Sequence, residues 1–576
     1  MAGRRRKTGN RQKMFLIAGV IVLIIVIALI TTLTTVVKKY SPSKEQTDYA
    51  SFYHLDSEDD IMICVNHAVL EQTGMLIDDE VYLPFDVVRE YVNDRFFWDG
   101  TEQILRYTLP EGIVNVSGET AEYTVGKDAQ TAENTILHVQ EDQMYLSLSF
   151  IQQYTNIRFE VFQNPNRVVI SNEWGTVDYT QVKRTTEVRE KGGIKSPVLT
   201  EVERGDLVTV VEEMDSWSEI CTEDGFVGYV KNSALGGTQS VLYEDEYTEP
   251  EFSHISRDYT INMAWHQVTN QTANNQVSSV LAGTKGVNVI SPTWFYLNDN
   301  EGGIAVLASS DYVSYCHENG VEVWALVSNF ENADVDTTQV LNTTSSRDTL
   351  VNNLIAEAVR YNLDGINVDF EMLDEEAAPG FLQFIRELSL KCEGNDLVLS
   401  VDNYSPASYN AFYDCEEQAV FADYVVLMAY DEHYNGSEEG SVASLGFVTQ
   451  GVTDMLENVP ADQLILGVPF YTRLWRLTPD DSVEGGVAVT SEALGMSEAE
   501  SRVAANGATF QWLDDCGQYY AEYEYEGSTY KVWIEDQNSI EKKLEVMQSN
   551  SLAGAAFWKL GYEKNTVWDT IVKFMN

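Results

Sequence analysis

At 576 residues the chain is too long for one compact domain, and three or four are expected. Hydrophobic residues make up 44% and aromatics 11%, which excludes a disordered or low-complexity chain. The formal net charge of −53 repels phosphate backbones and excludes nucleic acid as a natural partner, whereas neutral or cationic glycans are compatible with it.

The basic residues Arg4, Arg5, Arg6, Lys7, Arg11 and Lys13 precede an apolar run from Met14 to Val37, which Lys38 and Lys39 close. As a helix this run would measure about 36 Å, against about 30 Å for the hydrocarbon core of a bilayer. A transmembrane helix is therefore predicted over 14–37. The basic tail at 1–13 is expected in the cytoplasm, with everything after residue 40 outside the cell. A cleaved signal peptide is the rival reading. Its apolar region is usually only about 7–15 residues and ends at a small-residue site, and no A-x-A pattern follows the run here.

Residues 38–61 read as a polar stalk. After it comes an internal repeat over 62–174: Tyr82-Leu83 matches Tyr145-Leu146, and Tyr91, Asn93, Arg95 and Phe96 match Tyr154, Asn156, Arg158 and Phe159. Each copy combines a short strand, a helical stretch and alternating strands. The pair resembles the small α+β modules at the N-terminus of copper amine oxidases, which implies a spacer or wall-facing scaffold. Residues 176–237 alternate short apolar strands with turns, the pattern of a small all-β barrel. Through Val188-Arg189, Gly205-Asp206, Trp217 and Gly228-Tyr229-Val230 this segment resembles bacterial SH3-type domains. That resemblance leaves two readings open: a wall-binding module, or a rigid spacer whose Trp217 packs the core. Residues 238–255 are acidic and read as a linker.

From 256 to 576 eight strand-like runs recur between helical segments: INMAWHQV, VNVISPTWF, VEVWALVSNF, GINVDFE, LVLSVDNY, YVVLMAYD, LILGVPFY and GAAFWKLG. Eight such strands predict a (β/α)₈ barrel. The long gap at 472–553, with a helical stretch at 492–506 and a hairpin pattern, predicts an α+β subdomain inserted between strands seven and eight. The six cysteines form no C-x-x-C pair and allow fifteen pairings. The seven histidines show no H-E-x-x-H spacing, so no metal site and no cofactor is predicted.

Catalytic groups of such barrels sit at the C-terminal ends of the strands. On the fourth strand, Asn367, Asp369 and Glu371 share one face while Ile366, Val368 and Phe370 share the other. Two carboxylates held together should raise one pKa and produce an acid competent near neutral pH. The segment from Asp364 to Glu371 resembles the D-G-x-D-x-D-x-E signature of glycoside hydrolase family 18. Asp364, Gly365, Asp369 and Glu371 match, and Asn367 replaces an aspartate. Met428-Ala429-Tyr430-Asp431 is similar to the family's M-x-Y-D motif, Gly467–Tyr471 to a G-V-P-F-Y segment, and Trp558 to its last-strand tryptophan.

The resemblance implies a retaining hydrolase of N-acetylglucosamine-containing glycan, with Glu371 as general acid/base. Asp369 orients the acetamido group and Tyr430 bonds it, while Asn367, Met428, Asp431, Tyr471 and Trp558 contact the sugar. The acetamide oxygen itself is the nucleophile. Trp533, Glu535 and Asp536 are further candidates for the cleft wall. An asparagine can hydrogen-bond Asp369 but cannot exchange a proton with it. Asp369 is therefore expected to be more permanently charged, with a narrower pH profile. Asn367 also resembles the spore-cortex and cell-wall branch of the family, which implies peptidoglycan as the polymer. Two alternatives stay open: a non-catalytic wall-binding scaffold, and a chitinase acting on exogenous chitin.

Overall fold

The computed structural model describes residues 8–245 and 247–575, so the basic tail lies outside the described residues as far as residue 7. The chain divides into two compact units. The first opens with a helix, Thr8–Tyr40, which is long and apolar enough to cross a membrane and whose apolar window is not buried by any of the described residues.

The expected stalk is not a free tether. Gln46 bridges to Val198, and Tyr53 is buried with Cys64, Leu199, Cys221 and Phe226 in one apolar cluster. The residues have a partner surface, so an aromatic within this polar stretch is buried instead of solvated.

The repeat does not form two separate modules. Its copies share one seven-stranded sheet, in which Glu80–Pro84 pairs antiparallel with Gln143–Ser147. Leu83 lies opposite Leu146, and each of these strands runs directly into a short helix, Phe85–Tyr91 or Leu148–Gln152. Neither copy could cover its own apolar strand, so the two strands pair with each other.

The next seven strands form an antiparallel sheet from Gly175–Val182 to Leu235–Tyr243. Val182, Val188, Val202, Val208, Ile220 and Val230 fill its core. Trp217 is only partly buried and is absent from that core, contrary to the spacer reading of its role. The linker expected at 238–255 begins later than predicted, because residues up to Tyr243 pair with the strand starting at Gly175.

The second unit contains the barrel. Its strands are β1 (Ile261–His266), β2 (Val289–Leu297), β3 (Glu322–Ser328), β4 (Gly365–Asp369), β5 (Val398–Tyr404), β6 (Tyr424–Met428), β7 (Leu464–Pro469) and β8 (Gly554–Trp558). All eight are parallel, and pairing of β1 with both β2 and β8 closes the ring. Ile261, Met263, Trp265, Trp324, Leu326, Val426 and Ile465 fill the interior, while Ile366, Val368 and Phe370 join the layer between strands and helices.

The unit also recruits residues 97–117 and 123–130, which the repeat had appeared to own. Strand Ile104–Leu109 places Arg106 against helices Thr344–Tyr361 and Ala378–Glu393. There Arg106 donates to Asp348 at 2.7 Å and to Glu387 at 3.0 Å, and Arg347 donates to the same Glu387 at 3.0 Å. Two guanidiniums thus neutralise a fully buried carboxylate.

The insertion after β7 is a five-stranded antiparallel sheet carrying helix Met496–Ala505. The helix starts later than the predicted 492, because residues up to Gly495 complete the strand from Val487. Among the described residues all six cysteines are free thiols.

Candidate active site

The Asp364-Gly365 pair at the start of β4 has a structural explanation. The Asp364 carboxylate accepts the Val323 N–H at 2.7 Å and lies 2.8 Å from His317, tying β4 to β3. A Cβ on Gly365 would lie 2.7 Å from the Val398 carbonyl and 2.8 Å from the Trp324 ring, so no larger residue fits.

At the other end of β4 the chain leaves the strand through Glu371 and Met372, the latter at φ 52°. Phe370 points outward and stacks on Phe384 with centroids 5.5 Å apart, which turns Asp369 and Glu371 to the opposite side. Both line a cleft of about 580 Å³, together with Trp265, Asp402, Tyr404, Met428, Tyr430, Asp431, Tyr471, Trp558 and Glu331.

The Glu371 backbone is bracketed by Asn329, whose Oδ1 accepts its N–H at 2.9 Å and whose Nδ2 donates to its carbonyl at 3.0 Å. Its carboxylate Oε2 accepts from the Tyr404 hydroxyl at 2.7 Å. Burial pushes the Glu371 pKa up, the Tyr404 hydrogen bond pulls it down, and Asp431 and Glu331 push it up again; the net direction is upward.

Asp369 is buried and its Oδ1 has no hydrogen-bond partner. Burial, then the charges of Asp402, Glu371 and Glu331, hold its carboxyl well above the usual range. This overturns the expectation of a more permanently charged Asp369. The expected bond from Asn367 is also not formed. Asn367 Nδ2 donates to Asp402 at 2.7 Å and Ser400 at 3.1 Å, while its Oδ1 accepts from Trp265 at 2.9 Å and Ser291 at 3.1 Å. Two amide protons and two lone pairs are thereby all used. Asn367 is wholly buried and does not line the cleft, so its expected sugar contact is corrected to a role beneath the floor.

Tyr430 faces Asp369 and Asp402; burial and these charges hold its phenol far above its ordinary range, so it stays a protonated donor. The Tyr471 hydroxyl donates to Asp431, and Met428 completes this wall. Trp558 meets Trp265 edge-to-face at 5.9 Å and forms an aromatic floor.

Three further candidates do not reach the cleft. Trp533 packs on Tyr520 at 4.9 Å. Glu535 is buried in an ion pair with Lys543 at 2.8 Å. Asp536 caps helix Gln537–Ser549 through a capping box. Conversely, Asp402, Tyr404, Asn329 and Glu331 were not singled out in the sequence. The signal for the first two was present: Ser400, Asp402 and Tyr404 alternate along one face of the strand, opposite Leu399 and Val401. Among the described residues no cluster of His, Cys, Asp and Glu could hold a metal ion.

A closed parallel barrel with buried carboxyl groups, a tyrosine donor and a tryptophan floor at the ends of its strands defines a barrel glycosidase. Residues 313–563 match the model of glycosyl hydrolases family 18, and residues 184–236 match that of the bacterial SH3 domain. The chain carries a family 18 glycosyl hydrolase domain joined to a bacterial SH3 domain.

It is 25% identical over 299 residues to the uncharacterized glycosylase YvbX of Bacillus subtilis, covering 50% of this chain and 84% of that one. It is 27% identical over 237 residues to the cortical fragment-lytic enzyme of Bacillus subtilis, covering 40% of this chain and 54% of that enzyme. The chain thus spans about half the length of the latter. The crystal structure of the Bacillus cereus spore cortex-lytic enzyme SleL has the same barrel fold (TM-score 0.50, 18% identity, covering 59% of this chain and 78% of that one). The copper-amine-oxidase likeness of the repeat finds no counterpart among these matches.

Proposed function

We propose that the protein is a membrane-anchored, extracellular glycoside hydrolase that cleaves β-linked N-acetylglucosamine-containing glycan, with peptidoglycan as its polymer. The observation that carries this reading is one cleft lined by two buried carboxyl residues, Asp369 and Glu371, together with Tyr430 and Trp558. An acetamido sugar offers such a cleft an N–H for a carboxyl oxygen and a carbonyl for a tyrosine hydroxyl.

The chemistry then follows from the two raised carboxyl groups. Glu371, whose pKa burial raises, transfers its proton to the glycosidic oxygen as the C1–O bond breaks. The acetamide oxygen, oriented by Asp369 and Tyr430, forms the new bond to C1 and gives an oxazolinium. The Glu371 carboxylate next removes a proton from water, whose oxygen opens the ring, and the anomeric configuration is retained. Trp558 covers the apolar face of the pyranose. The relatives among cortical fragment-lytic enzymes and the attached SH3 domain support a cell-wall polymer. The helix Thr8–Tyr40 supports anchorage.

The test is mass spectrometry of products from purified peptidoglycan and from chitooligosaccharide, wild type against Glu371→Gln. The variant should lose about 10²–10⁴-fold in turnover while still folding. Unchanged turnover removes Glu371 as the acid. Wild-type protein that binds but releases no reducing ends favours the scaffold reading, and release from chitin alone favours a chitinase. A thiazoline mimic of the oxazolinium should inhibit; indifference to it argues against substrate assistance.

A further inference from the structure

The turn that carries Glu371 is held by three side chains. Asn329 brackets the Glu371 backbone from the end of β3. Tyr413 accepts the Leu373 N–H at 3.2 Å and donates to the Phe370 carbonyl at 3.2 Å. Tyr404, at the end of β5, accepts the Met372 N–H at 3.3 Å and donates to Glu371 Oε2 at 2.7 Å. Of the three, only Tyr404 touches the carboxyl group itself.

A tyrosine hydroxyl has one proton to give. Its second partner here is the Met372 N–H, which cannot accept it, so the proton is directed at Glu371 Oε2. The carbonyl oxygen of a carboxylic acid is a better acceptor than its hydroxyl oxygen, so a donor held on Oε2 favours the acid form whose proton is on Oε1.

We propose that Tyr404 is a positioning residue for glycoside hydrolysis, fixing which carboxyl oxygen of Glu371 holds the transferable proton. This inference rests on the functional reading above. Tyr404 does a second thing: its hydrogen bond is the counterweight to the burial that raises the Glu371 pKa. It favours the carboxylate and so eases the first step, in which Glu371 gives up its proton. The phenol itself is held well above its ordinary range by burial and by Glu371, so it remains a donor throughout the working pH range. The left-handed turn at Met372 brings that residue's N–H to the hydroxyl and sets its direction.

The experiment compares the full chain with Tyr404→Phe and Tyr413→Phe, measuring kcat and KM on a chromogenic N-acetylglucosaminide oligomer from pH 4 to pH 9. Tyr404→Phe should lose about tenfold or more in kcat with KM within about twofold. The basic limb of its kcat profile should move to higher pH, because the carboxylate has lost its donor. Tyr413→Phe reports a purely structural contribution. It should lower thermal stability without moving that limb, since Tyr413 bonds only backbone groups of the turn. An unmoved limb in Tyr404→Phe, with wild-type turnover intact, overturns the proposal and leaves the functional reading standing. Absence of turnover in the wild type overturns the functional reading itself.

Discussion

Replacing Asp369 by asparagine should stabilise the protein at neutral pH while removing most of its hydrolysis. The Asp369 carboxyl is buried, its Oδ1 is unpaired, and Asp402, Glu371 and Glu331 all disfavour its charge. Its folded pKa therefore lies above the unfolded value of about 3.9. Between those two values the folded protein keeps a proton that the unfolded chain has released. Stability is thus fully present below about pH 4 and falls as the pH rises through this window, by up to about 1.4 kcal/mol per pH unit for each proton retained. Asparagine cannot ionise, so its contribution to that slope vanishes. It also removes the repulsion with Asp402, which is raised for the same principal reason, burial, and by Glu371. The expected gain at pH 7 is about 1–3 kcal/mol, or about 2–4 °C in Tm per kcal/mol. Thermal denaturation of wild type and Asp369→Asn at pH 4.5, 6 and 7.5 provides the assay, alongside turnover. A variant equal to or less stable than wild type at pH 7.5, with the same dependence on pH, would refute the assignment of Asp369 as a destabilised functional carboxyl.

Three further outcomes are expected. Tyr430→Phe should reduce kcat by about 10²–10³-fold with little change in unfolding temperature, as read by steady-state kinetics, because it removes the hydroxyl that orients the acetamide oxygen for attack on C1. Trp558→Ala should weaken glycan binding, measured by calorimetry with Glu371→Gln protein, since it strips the aromatic floor beneath the sugar. Arg106→Met should destabilise the barrel unit by about 2–3 kcal/mol in urea denaturation. That value is below the loss expected for a lone buried pair, because Arg347 still neutralises Glu387.

The eight strands, and the common face of Asp369 and Glu371, were legible in the sequence because they depend on local periodicity. Side chains alternate along a strand, so Asp369 and Glu371 share a face wherever β4 lies, and Phe370 must face the other way. The tail of β6 with Tyr430, and Trp558 on β8, could be placed at the rim by the same rule. Which side chains meet across strands was not legible. The partners of Asn367 come from β1, β2 and β5, and their register is fixed only when the barrel closes with its particular stagger. Adjacent letters suggested Asp369 as its partner, but closure delivered Trp265, Ser291, Ser400 and Asp402 instead.

Burial decided the rest. Glu535 and Asp536 are adjacent acidic residues in the insertion, yet one neutralises a buried lysine and the other caps a helix. Residues 97–130 belong by sequence to a repeat, but much of this segment is part of the barrel unit, where Arg106 satisfies a carboxylate more than two hundred residues away. A sequence fixes the chemical groups and the face each presents along its own element. The proton affinity of a carboxyl, and the oxygen on which its proton sits, depend on solvent exclusion and on neighbours brought from distant strands, and only the folded chain supplies these.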